Sequence, residues 1–170
     1  MDLAAMIRDI PDFPVEGILF KDITTLIKDG EAFRQAVEAL LEFCRGKEID
    51  LVVSIESRGF IFGAPLAYEL GAGFIPVRKP GKLPADKISA EYSLEYGTNV
   101  LEMHKDAIRP GQKVLIVDDL LATGGSAKAT VDLVERLGGE VVGLIFLIEL
   151  EFLKGVEKLQ GYDVFTVIKY

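Results

Sequence analysis

The sequence predicts an α/β fold, with a mostly parallel central sheet flanked by helices on both faces. Three observations carry that prediction. Short apolar runs of strand length alternate with segments whose apolar residues recur at helical spacing. The helical segments are followed by glycine, at Gly46, Gly71 and Gly138-Gly139, a common helix stop. Val114-Leu115-Ile116-Val117 is apolar throughout, as a strand covered on both faces requires.

Taken in order, Leu3 to Ile10 is expected to form a short amphipathic helix stopped by Pro11. Asp12 to Asp22 mixes proline, glycine and aromatics and reads as an ordered but irregular lead-in. Glu31 to Arg45 places apolar residues at 33, 36, 37, 40, 41 and 44, which predicts a helix. Leu51 to Ile55 is a β-branched strand, Phe60 to Leu70 a helix, and Phe74 to Val77 another strand. Arg78 to Thr98 is rich in Lys, Pro, Gly, Ser and Tyr, and reads as a long surface excursion with a hairpin in its second half. Connections of this length tend to be functional or mobile. Val100 to His104 returns as a strand, followed by the strand Val114 to Val117 and a helix from Ala127 to Leu137. Strands over Val141 to Ile148 and Val164 to Ile168 complete the chain.

Composition narrows the function classes. With 170 residues and 49% apolar side chains, the chain has the makings of one folded domain with a real core. A net charge of −8 argues against nucleic-acid or anionic-membrane binding, so a phosphorylated ligand needs local groups that override the overall field. The lone Cys44 excludes an intrachain disulfide framework and fits a reducing compartment. Met1-Asp2-Leu3 lacks the basic start and apolar core of a leader peptide. No apolar run approaches the ~20 residues of a membrane span. The expectation is a cytoplasmic, soluble protein.

Chemistry concentrates where strands end. Val114 to Val117 runs into the paired acids Asp118 and Asp119, then a turn at Ala122-Thr123-Gly124-Gly125-Ser126, then a helix. Ligands in parallel sheets bind at the carboxyl ends of the strands. Glycines let an anion approach the backbone, and N–H groups at the helix start attract it. Thr123 and Ser126 add hydroxyl donors, and Ser126 is also placed to cap the helix. The turn lacks the spacer and Gly-Lys-Ser/Thr ending of a nucleoside-triphosphate loop, and no Gly-x-Gly-x-x-Gly dinucleotide fingerprint occurs. Carboxylates beside an anion cradle suit a ligand with a phosphate at one end and hydroxyls or a metal ion nearby.

Ser54 to Phe60 repeats the pattern of strand, charged kink and helix. Arg58 is placed to clamp a pyrophosphate with its planar fork, beside the backbone N–H groups of Ser57 and Gly59. A surface Glu56/Arg58 pair next to a helix cap fits the same residues. Arg78, Lys79 and Lys82 fall within a Pro/Gly loop, which suits polyphosphate or a merely solvated charge run. Phe20, between Leu19 and Lys21, is placed to stack on a flat base or to pack in a core. His104 and Cys44 belong to no motif; His104 reads as a polar strand end and Cys44 as helix packing.

These strings together resemble the type I phosphoribosyltransferases, and the resemblance runs from Pro11 to about Leu159. The acids and the Thr/Gly-rich turn resemble that family's phosphoribosyl-diphosphate signature. Arg-Lys-Pro-Gly-Lys-Leu-Pro from Arg78, and Tyr-Ser-Leu-Glu-Tyr-Gly from Tyr92, are similar to its adenine-specific members. The resemblance implies that family's fold, with a small N-terminal hood over about 1–28 and a long flexible catalytic loop over about 78–98. It implies that Ala122, Thr123, Gly124, Gly125 and Ser126 hold the ribose 5-phosphate, and that Asp118 and Asp119 face the ribose hydroxyls directly or through Mg²⁺. It implies a pyrophosphate loop around Ser57 and Arg58, in some members with a non-proline cis peptide, here expected next to Ser57. Arg78, Lys79 and Lys82 would contact pyrophosphate, Glu95 would manage protons at the base, and Tyr96 would help exclude water. Phe20 would stack on adenine while the backbone of Leu19 and Lys21 reads its edge; many relatives have Arg where this chain has Lys21. The implied reaction joins adenine to 5-phosphoribosyl 1-diphosphate, giving AMP and diphosphate, in a homodimer. The alternatives are transfer to another base and a ligand-sensing regulator on the same fold.

Overall fold

The computed structural model describes residues 1–94 and 97–170. The expectations for Glu95 and Tyr96 therefore lie outside the described residues. The chain divides into two compact units, Met1–Ala39 and Leu40–Tyr170.

In the first unit, a 3-10 turn at Ala4–Met6 leads into β1 (Arg8–Pro11), which pairs antiparallel with β2 (Leu19–Asp22). This corrects the helix expected over Leu3 to Ile10, and the ordered but irregular lead-in expected over Asp12 to Asp22 ends in a strand. Isolated helices this short are marginal. The ribbon satisfies backbone groups across its ladder instead, and two exposed ion pairs span it, Arg8 Nη2 to Asp22 Oδ2 at 2.6 Å and Lys21 Nζ to Asp9 Oδ1 at 2.7 Å. The connection between the strands contains a cis Phe13–Pro14 bond, and Asp12 Oδ1 accepts the Gly17 N–H at 2.8 Å. A short α1 (Thr24–Ile27) follows, and then α2 (Gly30–Cys44), whose last residues from Leu40 are counted with the second unit. The helical spacing in α2 sets Ala32, Ala36, Leu40 and Cys44 on a buried stripe.

The second unit is built on a five-stranded parallel sheet. Its strands are β3 (Leu51–Ile55), β4 (Gly73–Val77), β7 (Lys113–Leu121), β8 (Glu140–Glu149) and β9 (Val164–Lys169), in spatial order β4-β3-β7-β8-β9. Helix α3 (Arg58–Leu70) connects β3 to β4, and α4 (Gly125–Arg136) connects β7 to β8. Leu51, Val53, Ile116, Leu144 and Phe146 belong to one buried cluster. Gly143, which interrupts the β8 run, lies where a Cβ would meet the Phe43 ring at 2.6 Å. That ring is stacked on Phe165, 5.5 Å between centroids. The excursion after β4 is an antiparallel hairpin of β5 (Lys87–Ser93) and β6 (Thr98–His104), as its second half implied. His104 ends β6, and its Nε2 accepts the Ala85 N–H at 3.3 Å.

Two boundaries move at the sheet edge that matters. Strand β7 does not stop at Val117 but continues to Leu121, because β8 stays beside it, with Asp118 opposite Phe146 and Leu121 opposite Glu149. On the other side, the β3 ladder ends with Ser54 opposite Val117. Asp118 and Asp119 therefore sit on a strand flanked on one side only. Helix α4 begins at Gly125, two residues before the expected Ala127.

Candidate active site

The β3–α3 junction supplies the first wall. The Glu56–Ser57 peptide is cis, at the position the resemblance implied. Arg58 opens α3, and its Nε donates to Asp119 Oδ2 at 2.6 Å, 61 residues away in sequence. Gly59 follows because the helix start lies directly on the acids: a Cβ there would be 2.8 Å from Asp118 Oδ1 and 3.2 Å from the Val117 carbonyl oxygen.

Strand β7 supplies the two carboxylates. Both are buried, and Asp118 Oδ1 accepts the Asp119 N–H at 2.9 Å. Burial first, and then the neighbouring Asp119 charge, push the Asp118 carboxyl well above the usual carboxylate range; Arg58 pulls weakly the other way.

The β7–α4 turn supplies the anion cradle. Gly124 is the N-cap of α4 in the left-handed region, at φ 86°. Among the described residues no side chain caps this helix, and the expected Ser126 cap is not formed; Ser126 is already the second helical residue, and its carbonyl accepts the Thr130 hydroxyl at 2.8 Å. The turn is pinned from below by Gly155, since a Cβ on Gly124 would be 2.5 Å from the Gly155 carbonyl oxygen. A cavity of about 190 Å³ lies here, lined by Arg58, Tyr92, Asp118 to Gly124, Ser126 and Ala127. A second, of about 240 Å³, shares Arg58, Tyr92, Asp118, Asp119 and Ser126, and adds Glu56, Ser57 and Lys79.

The cationic loop is braced rather than loose at its start. Glu56 Oε1 accepts the Lys79 N–H at 2.7 Å and lies 3.3 Å from Arg78 Nε, an ion pair without hydrogen-bond alignment. Arg78 also bridges Glu102 through both backbone groups, and Glu102 Oε1 accepts the Gly81 N–H at 3.2 Å. Lys79 reaches the cavity wall; Arg78 and the exposed Lys82 do not line either cavity.

Leu19, Phe20 and Lys21 belong to the first unit. Leu19 is half exposed, Phe20 meets Phe13 edge-to-face at 5.1 Å between centroids, and the Lys21 ammonium is paired with Asp9. Sequence reasoning did not single out Tyr92, nor Glu56 as the brace of Lys79. The alternation of Ala90 and Tyr92 with polar Glu91 and Ser93 was a usable signal for Tyr92. Nothing local marked Glu56, because its partners are contributed by a different connection.

Residues 24–168 match the model of the phosphoribosyl transferase domain family. An adenine phosphoribosyltransferase of Halothermothrix orenii is 61% identical over 169 residues, covering 99% of each chain. The crystal structure of the adenine phosphoribosyltransferase of Thermoanaerobacter pseudethanolicus superposes with a TM-score of 0.97 at 58% identity, covering 99% of this chain and 98% of that one. The Saccharomyces cerevisiae enzyme, crystallised with an imino-altritol bisphosphate and adenine, superposes at 0.92 with 44% identity, covering 98% of this chain and 96% of that one. With its two helix starts and paired acids meeting at one sheet edge, and with this likeness over nearly its whole length, the chain belongs to the phosphoribosyltransferase family, among the adenine phosphoribosyltransferases.

Proposed function

We propose that this chain transfers the 5-phosphoribosyl group of 5-phosphoribosyl 1-diphosphate to adenine, releasing AMP and diphosphate in purine salvage. The observation that carries the reading is the meeting of the α3 and α4 starts with Asp118 and Asp119 around cavities that share Arg58 and Ser126. One substrate with a phosphate at each end suits that arrangement. The names of the relatives support adenine as the acceptor.

In this reading the backbone of Ala122 to Ser126 anchors the non-reacting 5-phosphate, and its binding energy positions the anomeric carbon. Breaking the anomeric C–O bond builds positive charge on the ribose ring. Asp118 and Asp119 face that charge, while Ser57, Arg58, Lys79, Arg78 and Lys82 attend the leaving diphosphate. Glu95 handles a proton at the base and Tyr96 helps exclude water. The functional arrangement is a single domain over 1–170, with Leu19, Phe20 and Lys21 in a base-covering segment of about 1–28 and a closing loop of about 78–98.

The acids fit Mg²⁺ as a carried ion. Among the described residues, no group of three or more His, Cys, Asp or Glu side chains converges on a metal-sized point. Each acid commits one oxygen, Asp118 to the Asp119 N–H and Asp119 to Arg58. A hard cation that keeps phosphate and water oxygens needs no more from the protein than a water-bridged carboxylate. When bound, Mg²⁺ supplies charge neutralisation on the diphosphate. Cytoplasmic location and a homodimer belong to the same proposal, supported by the lone buried Cys44 and by the family resemblance respectively. Among the described residues, no helix is long and apolar enough to cross a membrane.

A panel of adenine, hypoxanthine, guanine and orotate with labelled 5-phosphoribosyl 1-diphosphate tests the reading. AMP formation from adenine alone is expected. Preference for another base would reassign the acceptor, and binding without turnover would leave a sensor.

A further inference from the structure

Tyr92 lines both cavities. It stands on β5 with its Cα opposite Asn99 of β6, and it packs with Ala90 against the core cluster while Glu91 and Ser93 are exposed. Strand alternation thus sends the ring toward α4. A Cβ on Gly125 would lie 2.9 Å from Tyr92 Cδ2 and 3.6 Å from its Cβ. The first residue of α4 is therefore glycine for a steric reason: the Tyr92 ring occupies the space a side chain would take. The hydroxyl takes a long bond from Asn99 Nδ2, at 3.4 Å, within its own hairpin.

We infer that Tyr92 is a positioning residue for the phosphoribosyl substrate, whose ring walls the phosphate cradle at the start of α4. The inference rests on the transfer reading for its substrate. Its physical content is local. The ring shields the N–H groups of the α4 start from water on the hairpin side, where their attraction for an anion gains from lower polarity. It also packs β5 directly over Gly125. The ring carries the effect, not the hydroxyl, because the hydroxyl is turned to Asn99.

Calorimetric binding of ribose 5-phosphate, which fills the cradle alone, tests this beside steady-state AMP formation. Tyr92→Ala is expected to weaken ribose 5-phosphate binding about tenfold and to raise KM for 5-phosphoribosyl 1-diphosphate while leaving KM for adenine within about twofold, as loss of one positioning wall would. Tyr92→Phe is expected to restore both. Gly125→Ala should lose binding by itself, and adding Tyr92→Ala should cost no more or recover part, since contacting residues are not additive. Unchanged binding by Tyr92→Ala, failure of Tyr92→Phe to rescue, or strictly additive losses in the double variant would each overturn the assignment. The transfer reading fails separately: wild-type protein that binds ribose 5-phosphate but forms no AMP removes the reaction, while a Tyr92→Ala binding loss in that protein keeps the wall.

Discussion

Arg58 Nε donates to Asp119 Oδ2 at 2.6 Å, tying the first residue of α3 to an acid near the end of β7. The Asp119 side chain is 7% exposed and that of Arg58 46%, so the pair has a dry end and a wet end. A buried carboxylate is costly without a partner, and Arg58 supplies one while standing at the cavity wall.

Arg58→Ala is expected to weaken 5-phosphoribosyl 1-diphosphate binding about ten- to a hundredfold, the worth of one or two hydrogen bonds to a charged group. Adenine affinity should stay nearly intact. Arg58→Lys should recover little, because a compact ammonium has no planar fork to share between Asp119 and a phosphate. Calorimetry with each ligand reads the difference; equal losses for both would indicate a damaged fold.

Gly59→Ala should injure catalysis through Asp118. The new Cβ meets Asp118 Oδ1 at 2.8 Å and the Val117 carbonyl at 3.2 Å; Val117 is held between β3 and β8 and Asp118 by β8, so neither gives way cheaply. The expected stability loss is about 1–3 kcal/mol, the usual cost of overpacking. A fall in kcat larger than that loss explains would show that the acid's position matters; a wild-type kcat in an otherwise stable variant would remove it. Denaturant melts and steady-state assays on the same preparation separate the two.

Ser54 and Gly63 form a tighter steric pair beneath the site. The Ser54 hydroxyl is fully buried with no hydrogen-bond partner among the described residues, and a Cβ on Gly63 of α3 would fall 1.7 Å from it. Ser54→Ala is expected to leave stability unchanged or raise it by up to about 1 kcal/mol, since it removes a desolvated polar group. Gly63→Ala should destabilise by at least about 2 kcal/mol, and Ser54→Ala should relieve it only in part, because Ser54 Cβ itself is 2.8 Å from the new atom. Urea unfolding midpoints of the three variants check the order.

Asp22 gives the first unit an acid sensitivity. The Thr24 hydroxyl, then Arg8, then the Thr24 N–H hold its carboxyl at about 2, below its ordinary 3.8. A depressed carboxylate contributes stability above its unfolded value and loses it as pH falls through the folded one. The stability difference between wild type and Asp22→Asn is therefore expected to be full above pH 3.8 and to close toward pH 2. Acid unfolding followed by circular dichroism measures it; a constant difference across that window would refute the assignment.

Periodicity and turn chemistry alone determined the alternation of strands and helices, the α2 stripe, the hairpin after Val77, and the segments that face the cavities. Those features depend on which side of a local element avoids water, and a residue pattern records that directly. Three things waited for tertiary structure. The ribbon of β1 and β2 replaced a helix through a backbone ladder, with Arg8 opposite Asp22 and Asp9 opposite Lys21, whose partners are neighbours only across the strands. The length of β7 was set by β8, which stays paired past the acids after the β3 ladder has ended. The glycines at 59, 63 and 125 took their meaning from Asp118, Ser54 and Tyr92, each on another element. A glycine in sequence says that a side chain is missing; only the folded chain says what stands in its place.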